Sequence, residues 1–268
     1  MSSAPVSNTA PKTVTAAMLI IGDEILSGRT KDANLGHFAE ELNAMGIQMR
    51  EARVVSDVED EIVDALNALR ARFTYVFTTG GIGPTHDDIT ADAVAKAFGV
   101  SIDYDPRAVA ILEAHYPKGA LNEARMRMTR IPDGADLIEN PVSNAPGFHI
   151  ENVFVMAGVP VIAQAMLESV RSKLVGGKPV QSRAVHAKLA EGQIAEGLGT
   201  IQNAYADVSI GSYPFYSKGN FGVSLVLRST EEDQLAAAEG DVIALVRSLG
   251  ADPIDRAQLM QSASEGEG

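Results

Sequence analysis

Cysteine and tryptophan are both missing from the 268 residues. Without a thiol there can be no disulfide, no thiolate nucleophile and no thiolate-bound zinc, and the chain suits a reducing compartment. Apolar runs approaching the ~20 residues of a membrane span are missing too, so no membrane association is expected. Positive charge is scarce: 22 Lys and Arg stand against 35 Asp and Glu, a formal net charge of −13. A surface this acidic repels phosphate backbones and argues against general nucleic-acid binding. A small phosphorylated ligand remains open, because backbone N–H nests, a metal ion and a few arginines act locally. Met1 to Lys12 is small and polar, without the apolar core of a signal peptide. It reads as a disordered tail, and a cytoplasmic location is the default expectation.

Several catalytic motifs are absent as well. No Gly-Lys-Ser/Thr follows the glycines, which excludes a Walker A loop, and their spacing misses the dinucleotide fingerprint. The five histidines never stand at i, i+4 around a glutamate, so there is no zincin site. No Gly-x-Ser-x-Gly elbow occurs, which argues against serine acyl transfer.

What is present is enough apolar residue, 46%, for a sizeable core. The chain is organised around Thr78-Thr79-Gly80-Gly81-Ile82-Gly83-Pro84-Thr85-His86-Asp87-Asp88-Ile89-Thr90. An apolar run, Phe73 to Phe77, precedes it and reads as a buried strand. Ala91 to Phe98 follows with Ala91, Val94, Ala95 and Phe98 on one helical face, ended by Gly99. A strand, a glycine-rich turn and a helix start point N–H groups and a positive helix end at an anion. Asp87 and Asp88 beside such a nest make sense with a divalent metal between them. A tight βα turn in which Asp88 or Thr90 caps the helix is the plainer alternative.

Val14 to Ile21 is almost wholly apolar, as in a central parallel strand covered on both faces. Gly22-Asp23-Glu24 comes next, at the strand end where ligand crevices form, or as an ordinary polar loop. Leu35, Phe38, Ala39, Leu42 and Met45 mark an amphipathic helix closed by Gly46. Asp32 and Asn34 stand at its start, fit either to cap it or to meet ligand. Ile47 to Val55 is a second strand, ending in Ser56-Asp57. Val58, Ile62, Ala65, Leu66 and Leu69 then form a helix face.

The order βαβαβα with short connections implies a parallel sheet. Ser101 to Thr129 reads as mainly helical, with Pro106 at a helix start. Arg125, Arg127 and Arg130 form the one local concentration of positive charge, and one of them is placed to meet a phosphate. Ile131 to Ala135 reads as a turn, and Phe148 to Ile150 with Val153 to Met156 as a hairpin. Gly158-Val159-Pro160 leads into a helix from Val161 to Leu174.

Gly176-Gly177-Lys178-Pro179 reads as a domain boundary. Beyond it the pattern is βαββα, with Ile254 on a last strand and Gly211 to Pro214 as a turn. That describes a small split βαβ module. The expected division is a tail over 1–12, a main domain over 13–175, a small α+β domain over 180–256 and a disordered tail over 257–268.

The loop resembles the molybdopterin-binding (MoaB/Mog) domain family, whose pattern T-G-G-x-G-x-x-x-x-D-x-T is met by Thr79, Gly80, Gly81, Gly83, Asp88 and Thr90. Within it, Gly81 to Thr90 resembles the CinA (competence/damage-inducible protein A) branch. Gly22 to Gly28, Asp32-x-Asn34, Val54 to Asp57, Asn140, Ala145-Pro146-Gly147 and Gly158 to Pro160 follow in the same order. The likeness runs from about Val14 to Val170.

It implies a three-layer α/β sandwich with a mostly parallel sheet, assembled as a homo-oligomer, that binds a small phosphorylated ligand, a pterin or a nucleotide, at this loop. Thr79, Gly80, Gly81, Gly83, Pro84, Thr85, Thr90, Asn34, Ala145, Pro146 and Gly147 are the implied ligand contacts. Asp57 and Asp88 match the acids that place magnesium and transfer AMP to molybdopterin in the molybdenum-cofactor enzymes. The CinA branch, like a related domain of eukaryotic FAD synthases, is associated instead with metal-dependent cleavage of pyrophosphates such as ADP-ribose or FAD. That makes Mg, Mn or Co the expected metal, on Asp23, Asp87 and Asp88. A protein that binds without catalysing is the further alternative. Two departures stand at one rim: Ala157 where the family has proline, and Val161 where it has an acid. The amidase domain of longer CinA proteins is not expected in this length, so deamidase activity is not carried over.

Overall fold

The computed structural model describes residues 13–217 and 220–254. The disordered tails expected over 1–12 and 257–268 lie outside the described residues. The chain divides into two compact units between Lys178 and Pro179.

In the first unit the elements run β1 (Val14–Ile21), α1 (Asp23–Leu26), α2 (Asn34–Ala44), β2 (Ile47–Val55), α3 (Glu59–Arg70), β3 (Tyr75–Thr79) and α4 (Thr90–Phe98). They continue with β4 (Ile102–Tyr104), α5 (Pro106–His115), α6 (Glu123–Met126), β5 (Arg130–Pro132), β6 (Asp136–Ile138), β7 (Gly147–Ile150), β8 (Val153–Met156) and α7 (Pro160–Val170). A six-stranded sheet takes the order β2-β1-β3-β8-β7-β6. β2, β1, β3 and β8 are parallel, and β7 is antiparallel to both its neighbours.

Strand periodicity explains why β1 is almost wholly apolar. Ala17, Leu19 and Ile21 point into one core with Ile62, Leu66 and Leu69 of α3 and Val94 of α4. Ala16, Met18 and Ile20 point the other way, into a core with Phe38 and Leu42 of α2 and Met166 and Leu167 of α7. A strand buried on both faces has no room for alternation, and the result is three layers. Phe77 stacks on Phe154, with ring centres 5.3 Å apart, and meets Phe38 edge-on.

The segment expected to be mainly helical also holds β4, which pairs antiparallel with β5. Three residues are too few for periodicity to reveal such a strand. β5 takes Ile131 and Pro132 from the expected turn, leaving the turn itself to Asp133 and Gly134.

The second unit runs β9 (Gln181–Ala187), α8 (Glu191–Ala204), β10 (Ser209–Ser217), β11 (Asn220–Ser229) and α9 (Glu232–Ser248). Its sheet order is β10-β11-β9, with β11 antiparallel to both neighbours. β9 and β10 therefore run parallel with β11 inserted between them, the split βαβ arrangement. The Ile254 N–H donates to the His186 carbonyl at 2.7 Å, bridging β9 on its other side. Val223, Leu225 and Leu227 pack against Ile194, Leu198, Leu235 and Val242.

One expectation is overturned here. Gly211 to Pro214 is not a turn but the middle of β10, where Pro214 pairs with Val223. β10 lies at the sheet edge, and an edge strand accepts a residue that lacks one donor.

Candidate functional site

The chain leaves β1 toward β2 on one side and then crosses to β3 on the other. The strand order reverses between β1 and β3, and in such sheets the crevice for ligand lies beyond the strand ends at that point. Gly22 to Glu24 after β1, Ser56-Asp57 after β2 and the loop after β3 all meet there.

The loop after β3 is fixed from behind. Gly80 has φ 107° and is buried, and its N–H donates to the Met156 carbonyl at 3.2 Å. A methyl group on it would overlap the Ile21 carbonyl oxygen. One on Gly158 would come within 3.3 Å of the Gly80 Cα. Thr90, expected to touch ligand, is fully buried instead. Its hydroxyl donates to the Gly80 carbonyl at 2.9 Å and its N–H to the Gly81 carbonyl at 3.0 Å.

Asn34, also expected at the ligand, is buried and donates to the Gly158 carbonyl at 2.8 Å. Its Oδ1 has no partner. Asp32 accepts the Leu35 N–H at 2.9 Å and so caps α2. Thr79 and Gly80 are buried, whereas Gly81 and Gly83 are half-buried and Pro84 and Thr85 exposed, so the reachable rim begins at Gly81.

Of the second expected segment, Pro146 lines a small cavity beside the loop. The Ala145 carbonyl accepts from Asn140 Nδ2 at 2.8 Å. Gly147 is buried in β7, where a methyl would overlap the Val155 carbonyl, so its lack of a side chain serves the strand's packing.

Replacing Thr90 with valine keeps the volume and leaves the Gly80 carbonyl unpaired in a dry place. The expected cost is about 1–3 kcal/mol, read from urea unfolding. An unchanged midpoint would show that the loop does not rest on this hydroxyl.

The carboxylates are distributed unevenly. Asp57 accepts the Asp23 N–H at 2.9 Å. Burial pushes its carboxyl above the ordinary range, and the charges of Asp23, Glu24 and Asp87 push the same way against that hydrogen bond. Asp88 is turned onto its own loop: Oδ2 accepts the Thr85 N–H at 2.7 Å and the Thr85 hydroxyl. It therefore does not cap α4. Among the described residues no three His, Asp or Glu side chains gather as a group able to hold a metal ion. The expected trio of Asp23, Asp87 and Asp88 is not assembled among the described residues: Asp88 accepts from Thr85, and the Asp23 N–H is spent on the Asp57 carboxylate.

The cavity beside the loop measures about 20 Å³, and Gly81, Gly83, Asp88, Arg127, Pro146 and Phe148 are among the residues that line it, with the Asp92–Arg130 pair. The three arginines of this region differ. Arg125 lies over the Tyr116 ring and donates to the Ala120 carbonyl. Arg130 makes a two-pronged pair with Asp92, at 2.7 and 2.6 Å. Arg127 makes one long bond, 3.4 Å, to the Asp88 carbonyl, and its Nε is buried without a partner. Sequence alone marked the cluster but not the member, because the choice depends on which carboxylates the fold places opposite.

Fold and loop together define an α/β protein built around a glycine-lined crevice at the switch point of its sheet. The chain belongs to the molybdopterin-binding domain family: residues 17–176 match the model described as a probable molybdopterin binding domain. Residues 179–252 match the middle domain of FAD synthase.

The chain is similar to the CinA-like protein of Citrifermentans bemidjiense, 36% identical over 245 residues, covering 83% of this chain and 56% of that protein. It is also similar to that of Geobacter sp. (strain M21), 34% identical over 251 residues, covering 88% and 58%. It thus spans little more than half the length of these curated relatives. Among solved structures it is similar to CinA from Thermoplasma acidophilum, described there as of unknown function. The identity is 34%, over 59% of this chain and 96% of that one, with a TM-score of 0.57. These likenesses place it with the CinA-like branch. Among the described residues no helix is long and apolar enough to cross a membrane.

Proposed function

We propose that the protein is a metal-dependent hydrolase of the pyrophosphate bond in a nucleotide diphosphate compound of the ADP-ribose or FAD type. One observation carries the reading. Beside a glycine loop suited to a phosphate, the Asp57 carboxylate accepts the Asp23 N–H at 2.9 Å and lies within electrostatic reach of Asp23, Glu24 and Asp87. Crowded acids next to a phosphate site are mutually repulsive, and a divalent cation relieves that repulsion.

The donors fit Mg²⁺, Mn²⁺ or Co²⁺, being hard carboxylate oxygens. Magnesium commonly takes only one or two protein carboxylates and fills its shell with phosphate oxygens and water, so a complete protein cage is not required. Such an ion, when bound, neutralises phosphate charge and lowers the pKa of an attacking water. The residues' own part is to place the groups. The N–H groups from Gly81 onward hold a phosphate, the start of α4 favours its charge, and Asp57 and Asp88 supply carboxylate oxygens. The match of the second unit to the FAD synthase middle domain adds support for a nucleotide cofactor as substrate.

The test is AMP release from ADP-ribose and from FAD, followed by chromatography with each of the three metals. AMP is expected only with metal, is stopped by a chelator, and falls sharply in Asp88→Asn. No AMP from either substrate with any metal would remove the reading. The adenylyltransferase reading is favoured by the description of the matched domain, and it predicts rescue of a strain lacking that step. The absence of an assembled acid group among the described residues favours a third reading, ligand binding without chemistry. Nucleotide binding by calorimetry with no turnover would support that one.

A further inference from the structure

Building on the pyrophosphatase reading, we infer that Arg127 makes the site prefer a diphosphate to a monophosphate, its guanidinium taking the second phosphate of a ligand whose first lies on the loop from Gly81 to Gly83. Arg127 borders the cavity that the loop also borders. Its one hydrogen bond, a long 3.4 Å from Nη2 to the Asp88 carbonyl, keeps it close to the loop. Nε is buried and unpartnered, and a buried charged donor left unmatched usually marks a missing acceptor.

Its neighbours show the contrast. Arg130 is closed off by Asp92, and Arg125 by Tyr116 and Ala120. Among the described residues no carboxylate pairs with Arg127, although the chain carries 35 of them. A guanidinium matches two oxygens of one phosphate, a geometry that lysine lacks.

The test compares ADP and AMP binding by calorimetry at one fixed Mg²⁺ concentration, for wild type, Arg127→Gln and Arg127→Lys, with thermal melts alongside. Wild type is expected to bind ADP at least 10-fold more tightly than AMP. Arg127→Gln should weaken ADP about 10- to 100-fold and AMP less than about threefold. Arg127→Lys, which keeps the charge without the fork, should fall between, and it carries the comparison if Arg127→Gln does not fold. Equal losses for both nucleotides, or unchanged ADP binding, would overturn the role of Arg127. If wild type still released AMP from ADP-ribose in that case, the pyrophosphatase reading would stand. A wild type that binds neither nucleotide would overturn the role of Arg127, and the pyrophosphatase reading would fall with it only if AMP release also failed.

Discussion

Asp57→Asn should lower metal-dependent AMP release at least 100-fold while making the folded protein more stable at pH 7. The two effects have one origin. The native environment disfavours the ionised carboxyl of Asp57, through burial first and then through Asp23, Glu24 and Asp87. Its folded pKa therefore lies above the unfolded value, and the native state binds more protons than the unfolded chain between the two. Stability contributed by this group is full below the unfolded pKa and is lost as pH rises through the folded one. An asparagine keeps an oxygen to accept the Asp23 N–H, removes the charge, and escapes that loss. Melting temperature against pH for both proteins checks this: the variant should gain at neutral pH and show little advantage below the ordinary carboxylate range. A variant that is active, or one less stable at pH 7, would mean that the crowding of acids is not what defines the site.

Gly80→Ala should cost about 3 kcal/mol or more, against about 1 kcal/mol for Gly28→Ala. Both residues have positive φ, 107° and 73°, so both substitutions strain the backbone. The difference is in their surroundings. At Gly28 an added methyl meets nothing within 4 Å, whereas at Gly80 it overlaps the Ile21 carbonyl oxygen of the neighbouring strand. That oxygen is main chain and cannot swing aside, so β1 and β3 must separate where the crevice opens. Chemical denaturation of the two variants compares them directly. Similar losses would show that strain alone matters and that the strand ends are not tightly joined.

Much of this architecture was legible because each layer leaves a different periodicity. β1 announced itself by being apolar on both faces, and Gly46 and Gly99 marked real helix ends, each with positive φ. The crevice was legible from position, since Asp23, Asp57 and the glycine loop all follow strands. Orientation was not. Thr90 looks like a ligand group in sequence, but its hydroxyl turns inward to the Gly80 carbonyl. Asp88 was placed correctly in the loop, yet its carboxylate bonds to Thr85. Gly211 and Pro214 misled because a sequence does not show whether a strand lies at an edge.

That edge has a consequence for behaviour at high concentration. Pairing with β11 continues unbroken from Ser209 to Ser217 across Pro214, so the missing N–H falls on the outer side of β10. The exposed border of the sheet thus presents an interrupted row of donors to any extended chain that approaches it. Templated growth of a cross-β ribbon from this border is disfavoured, and the small unit guards itself against aggregation by strand addition.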